Sequence, residues 1–149
     1  MSTPIIEIAC NRADAACVAA HLRACDGSFV PSLSARVGLE AYAAKIAQFA
    51  ERTEAWSGME LTGLVAAYAN DPERRTAFIT SVSVLPAWQG QGLASRLLLA
   101  CIERVLGLGF EGIELEVDAR NTAATKLYRK HGFVVQACHD QTHTMRLVH

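Results

Sequence analysis

Six residues, Gln89-Gly90-Gln91-Gly92-Leu93-Ala94, join a stretch that reads as a strand to one that reads as a helix, and they limit what the chain can become. Ahead of them, residues 78–84 are rich in β-branched residues, and Phe78, Thr80, Val82 and Val84 recur at period two, which predicts a strand carrying those four on one face. Pro86 ends it. Behind them, Leu93, Leu97, Leu98, Cys101, Ile102, Val105 and Leu106 recur at the spacing of an amphipathic helix, with Ser95, Arg96, Glu103 and Arg104 toward solvent. The first turn of such a helix has N–H groups without intrahelical partners and a partial positive charge, so phosphate is its natural ligand. The same glycines also suit a tight turn that only lets the helix pack close to the sheet.

Two other phosphate loops fit poorly. A Walker loop needs Gly-Lys-Ser/Thr, and no lysine lies between Lys45 and Lys126. The dinucleotide fingerprint wants a glycine or alanine where Ser95 stands and an acidic residue further on. Glu111, Glu114 and Glu116 leave that second requirement open, but too few residues follow for the rest of a doubly wound domain.

The remaining chain reads as strands and helices in a plain order. Residues 4–9 suit a first strand; Asn11 or Asp14 can cap a helix ending at Cys25; residues 39–50 form a second helix. Residues 53–57 and 61–70 read as a hairpin about Gly58, and residues 71–75 turn the chain back into the strand before the glycine loop. Residues 112–117 alternate strictly, with Ile113, Leu115 and Val117 on one face and Glu114, Glu116 and Asp118 on the other. A helix over residues 123–131, capped by Asn121 or Thr122, precedes two closing strands at 133–138 and 142–148.

With 14 Lys and Arg against 15 Asp and Glu, no large basic field is available for nucleic acid or an anionic membrane. The start has no secretory pattern and no long apolar run occurs, so a cytoplasmic protein is expected, with no membrane partner. Five cysteines without Cys-x-x-Cys spacing point to neither a disulfide framework nor a metal site.

Gln89, Gly92 and Ala94 match the pattern Gln/Arg-x-x-Gly-x-Gly/Ala, and the loop resembles the acyl-CoA-binding motif of the GNAT superfamily of N-acetyltransferases. Asn121, Ala124, Leu127, Tyr128, Gly132 and Phe133 resemble a second pattern that follows it in that family, Asn-x-x-Ala-x-x-Leu-Tyr-x-x-x-Gly-Phe. The resemblance covers residues 78–133; residues 1–75 agree by element order alone. It implies acetyl-CoA as co-substrate; no metal is expected, since the cysteines and His131, His139 and His143 lack metal-ligand spacing. The backbones of Val82 and Val84 would meet its pantetheine arm, and Gln89, Gly90, Gln91, Gly92, Leu93, Ala94 and Ser95 its pyrophosphate. Asn121 would bond the pantetheine amide, cap its helix, or both. Lys126, Arg129 or Lys130 would meet a coenzyme phosphate, or form a wet helix face.

Acetyl transfer to an amine needs a held thioester, a neutral amine, help for the oxyanion and a proton for the departing thiolate. Tyr128 is the candidate acid, because similar GNAT enzymes place a tyrosine by the sulfur; the other reading is a tyrosine packed on the sheet. Glu116 is the candidate base, directly or through water, because the run Leu-Glu-Val-Asp-Ala-Arg-Asn resembles the ribosomal-protein alanine N-acetyltransferases. The other reading is a solvated strand carboxylate. Residues 29–36, Tyr42 and Trp56 would shape the acceptor site, or the three aromatics there would be core.

The expected fold is therefore α/β of the α+β type, one GNAT-like domain over residues 1–149: a mainly antiparallel sheet of six or seven strands, about four helices, splayed where residues 80–84 part from 113–117. The expected function is acetyl transfer to a primary amine of a small molecule or a protein N-terminus, with a homodimer left open. A non-catalytic acyl-CoA sensor and a nucleotide-binding domain preferring ATP or NAD are the alternatives.

Overall fold

The computed structural model describes residues 5–71, 73 and 75–148. In chain order its elements are β1 (Glu7–Cys10), α1 (Ala15–Cys25), α2 (Leu39–Phe49), β2 (Glu51–Ser57), β3 (Glu60–Tyr68), β4 (Thr76–Val84), α3 (Leu93–Gly107), β5 (Gly112–Asp118), α4 (Thr122–Lys130), β6 (Val134–His139) and β7 (Thr142–Val148). Pro4, Pro72 and Arg74, which figure in the expected first strand and turn, lie outside the described residues. Asp14 rather than Asn11 caps α1, its carboxylate accepting from the Cys17 N–H at 2.8 Å.

The strands form one seven-stranded sheet in the order β1-β2-β3-β4-β5-β7-β6, antiparallel except where β4 meets β5. A parallel pair needs a crossover, and α3 provides it. α1 and α2 cover one face with a core that includes Leu22, Leu33, Ile46 and Leu64; α3 and α4 cover the other with Leu97, Leu98, Ile113, Leu115 and Phe133. α3 sits unusually close to the sheet at Gly63 of β3, where a Cβ would fall 2.6 Å from Leu97 Cδ1. No described helix is long and apolar enough to cross a membrane.

One expectation fails inside β4. Ala67 pairs with Ile79 and Ala66 with Ser81, so Thr80 is an extra residue in a β-bulge. The bulge inverts the alternation. Phe78 lies opposite Tyr68, while Val82 and Val84 join Ala77 and Ile79 on the α3 side and Ser81 and Ser83 turn toward α1. Tyr42 of α2 pins the bulge, donating its hydroxyl to the Thr80 carbonyl at 2.7 Å and meeting the Thr80 hydroxyl at 2.6 Å.

The hairpin also begins two residues earlier than its alternation indicates, because Arg52 and Glu54 are buried rather than solvated. The Arg52 guanidinium donates to the carbonyls of Ile46, Ala47 and Ala50, which closes the C-terminus of α2. Glu54, fully buried, accepts from the backbone N–H groups of Arg12 and Ala13 at 3.0 Å, from the Trp56 indole at 3.0 Å, and from Arg52 Nε at 3.4 Å. That carboxylate fixes how the chain passes from β1 into α1. Removing it leaves a buried guanidinium and several buried donors unpaired, so Glu54→Ala is expected to cost about 3–5 kcal/mol. Urea denaturation of the purified variant measures this.

Candidate active site

β4 and β5 pair only from Thr76↔Gly112 to Ile79↔Leu115, and beyond the bulge they diverge. The Leu85 N–H bonds to Thr62 O of the β3 side at 2.8 Å. Since backbone groups alternate sides along a strand, those of Val84 and Val82 face the gap instead. No β5 partner meets them there.

α3 begins at the same place. Its N-cap is Gly92 at φ 75, no side chain caps its first turn, and no acidic residue stands in that turn. Gly90 is likewise left-handed, at φ 80. A Cβ on either glycine would meet no atom of the described residues within 4 Å, so the space above the loop is open among them. Backbone conformation demands the glycines here, and their bareness leaves the helix start accessible. Gln89 is tied back, donating to Val84 O at 3.1 Å and to Ser28 Oγ at 3.2 Å.

The gap and the loop merge into one cleft of about 520 Å³. Among the residues singled out from sequence, Val82, Val84, Gln89, Gly90, Gly92, Leu93, Ala94 and Ser95 form one side of it, and Glu116, Asn121 and Tyr128 the other. Gln91 is exposed and does not line it. Of the cations on α4, Lys130 borders the cleft, and Lys126 and Arg129 do not. Phe29 and Arg36 lie on its wall, whereas Tyr42 serves the bulge and Trp56 is core.

Tyr128 is 8% exposed, packed edge-on against Phe133, and burial pushes its phenol up to about 12, so it stays protonated at neutral pH. Glu116 is exposed at the cleft from β5. Next to it, Asp118 is held down to about 2 by its hydrogen bonds from the Arg120 side chain and backbone. Asn121 caps α4, its Oδ1 accepting from the Ala124 N–H at 3.1 Å. Ser95 Oγ meets His131 Nε2 at 2.8 Å, which ties the start of α3 to the end of α4.

Sequence reasoning missed Thr80, Ser81 and Ser83, which the bulge turns into the cleft wall, and His21, which bonds Ser83 from beneath. The serines at alternate positions of β4 were a visible signal; their partner on α1 had none.

The chain matches the Acetyltransferase (GNAT) family over residues 21–133. It belongs to that family. Among relatives of this GNAT chain, the mycothiol acetyltransferase of Renibacterium salmoninarum is 37% identical over 83 residues, 56% of this chain and 24% of that protein. The [ribosomal protein bS18]-alanine N-acetyltransferase of Haemophilus ducreyi is 42% identical over 57 residues, 38% of this chain and 39% of that protein. The GNAT chain thus spans well under half the length of the curated relatives it matches. In fold it is similar to the PaiA N-acetyltransferase of Thermoplasma acidophilum, solved in complex with coenzyme A: TM-score 0.75 at 14% identity, covering 97% of this chain and 99% of that one.

Burial of Tyr128 carries a stability signature. A free tyrosine ionises at ~10, and burial pushes Tyr128 up to about 12. Between those values the unfolded chain gives up a proton that the folded chain retains, so stability falls as pH rises through this window. Tyr128→Phe is expected to remove that part of the slope. Tyr42 and Tyr68, also raised by burial, contribute equally to both proteins. Urea unfolding of the two proteins across the alkaline range is the check, and equal slopes would contradict a buried phenol.

Proposed function

We propose that this GNAT chain is an acetyl-CoA-dependent N-acetyltransferase that acts by direct transfer to a primary amine, carried by a small molecule or by a protein N-terminus. The observation that carries the reading is the divergence of β4 from β5 at the point where the bare first turn of α3 opens. An unpaired strand edge and a helix start side by side fit a ligand with an amide-bearing arm at one end and phosphates at the other.

The open space over Gly90 and Gly92, and a first turn with neither a side-chain cap nor a carboxylate, suit an anion at that point. Val82 and the N–H of Val84, whose carbonyl is held by Gln89, present strand hydrogen-bonding groups to the arm, residues 89–95 present N–H groups to the pyrophosphate, and Lys130 adds a positive charge. When bound, acetyl-CoA supplies a thioester carbonyl open to attack and a thiolate that leaves.

The protein's own residues manage protons and position. Tyr128 holds a proton at its hydroxyl, kept there by burial, for the departing sulfur. Glu116, across the gap and open to solvent, takes a proton from the amine, directly or through water. Asn121 keeps α4 and with it Tyr128 in place by its cap. Holding both reactants in one cleft contributes much of the acceleration by itself. The name of the bS18-alanine N-acetyltransferase relative supports an amine as acceptor, and the cleft wall at Phe29 and Arg36 is where its identity would be read.

Calorimetric titration with acetyl-CoA, CoA, ATP and NAD, followed by thiol release across an amine panel, tests the reading. Acetyl-CoA and CoA are expected to bind in preference to ATP and NAD, and Gly92→Asp, which sets a carboxylate at the helix start, to weaken binding at least about 10-fold. Tyr128→Phe and Glu116→Gln are each expected to lower kcat by about 10²-fold with KM for acetyl-CoA unchanged. Binding without turnover on any amine would favour a sensor, and no binding of CoA species would make the loop a turn and nothing more.

A further inference from the structure

His21 of α1 is 3% exposed and touches two elements of the sheet. Its Nδ1 lies 2.9 Å from the Leu61 carbonyl of β3, and its Nε2 lies 2.9 Å from Ser83 Oγ of β4. A carbonyl can only accept, so Nδ1 carries the hydrogen. Nε2 of the neutral ring is then a lone pair, and Ser83 donates its hydroxyl proton to it. Burial holds His21 below the ordinary value of an imidazole, outweighing its hydrogen bonds to Leu61 and Ser83 and the charge of Glu60, so the ring is neutral at pH 7. Cys25, one turn along α1, approaches Nε2 at 3.7 Å, and burial pushes its thiol up to about 11, so it adds no charge.

Ser83 borders the cleft while His21 lies behind it. A serine that borders the cleft, a base bonded to its hydroxyl, and a fixed carbonyl that orients the base are the parts of a proton-accepting chain. The Thr80 bulge is what turns Ser83 to this side.

Resting on the acetyl-transfer reading above, we propose that Ser83 and His21 form a proton relay for the acceptor amine, on the β4 wall opposite Glu116. A primary ammonium sheds two protons on becoming an amide: one ends on the thiol released from the thioester and one must leave the site. The relay takes one of them. The nitrogen's proton passes to Ser83 Oγ as the Ser83 proton passes to His21 Nε2, which forms an imidazolium whose Nδ1–H stays on Leu61. The reverse transfer through Ser83 returns that proton to solvent once product has left, and no oxidation or covalent intermediate is involved. Ser83 is the residue that touches substrate; His21 acts through it and positions it.

The test compares Ser83→Ala, His21→Gln and the double variant with the wild-type protein, with melting curves and acetyl-CoA calorimetry to confirm a folded, cofactor-binding protein. Glutamine can still accept the Ser83 hydroxyl hydrogen bond, but it cannot take up the proton. The relay therefore predicts that both single variants lose about 10²-fold in kcat with KM for acetyl-CoA unchanged, and that the double variant is no worse than either. Wild-type kcat in folded His21→Gln would show a merely structural histidine and overturn the relay, and wild-type kcat in Ser83→Ala would do the same, while leaving acetyl transfer intact. Acetyl-CoA binding without turnover on any amine in the wild-type protein would instead overturn the transferase reading, and the relay with it. Imidazole ¹⁵N spectra of the wild-type protein decide independently of any variant: His21 as the neutral Nδ1–H form at pH 7 supports the relay, and an Nε2–H form or an imidazolium overturns it.

Discussion

The extra residue at Thr80 is the constraint on which the rest of the architecture turns. A strand without it would keep its period, continue alongside β5, and close the sheet. With it, β4 bends away after Ile79, its outer backbone groups lose their β5 partners, and its side chains exchange faces. A bulge leaves a backbone carbonyl without a ladder partner, and the Tyr42 hydroxyl takes that place from α2. The helix layer on one face thereby holds open a gap that is lined from the other.

The position of α3 follows from the same seam. Among the described strands β4 and β5 are the parallel pair, so the chain must cross over between them, and the crossover begins at the C-terminal end of β4, beyond its last residue paired with β5. The electropositive start of α3 arrives at the mouth of the cleft as a matter of connectivity, and the close approach at Gly63 keeps the helix seated there. Glycine has two different uses in this region. At Gly63 there is no room for a side chain, and at Gly90 and Gly92 there is room, but the backbone adopts angles that other residues resist.

Much of this was legible from residue order. The apolar face of α3, the alternation of β5, the cap at Asn121 and the pairing of two separated motifs describe local patterns, and local patterns are what a sequence displays. The bulge was not legible, since one inserted residue among Thr, Ser and Val changes neither composition nor propensity; it only moves Phe78 to the face opposite Val82. The burial of Arg52 and Glu54 was equally hidden, because the partners that satisfy them stand in α2 and in the segment before α1. His21 and Ser83 stand 62 positions apart, and nothing in either stretch announces the other.

The gap between β4 and β5 is also a boundary in the genetic text. The described residues up to Val84 build one wall, with α1, α2 and the first four strands; those from Gly112 to Val148 build the other, and α3 is the covalent bridge. Strand pairing between the two walls is confined to four residue pairs at the base of the seam. Substitutions at Phe29 or Arg36 can therefore alter the N-terminal wall without touching the stretch that carries Tyr128 and Asn121. A lineage built on such a seam can change what it accepts without relearning what it donates.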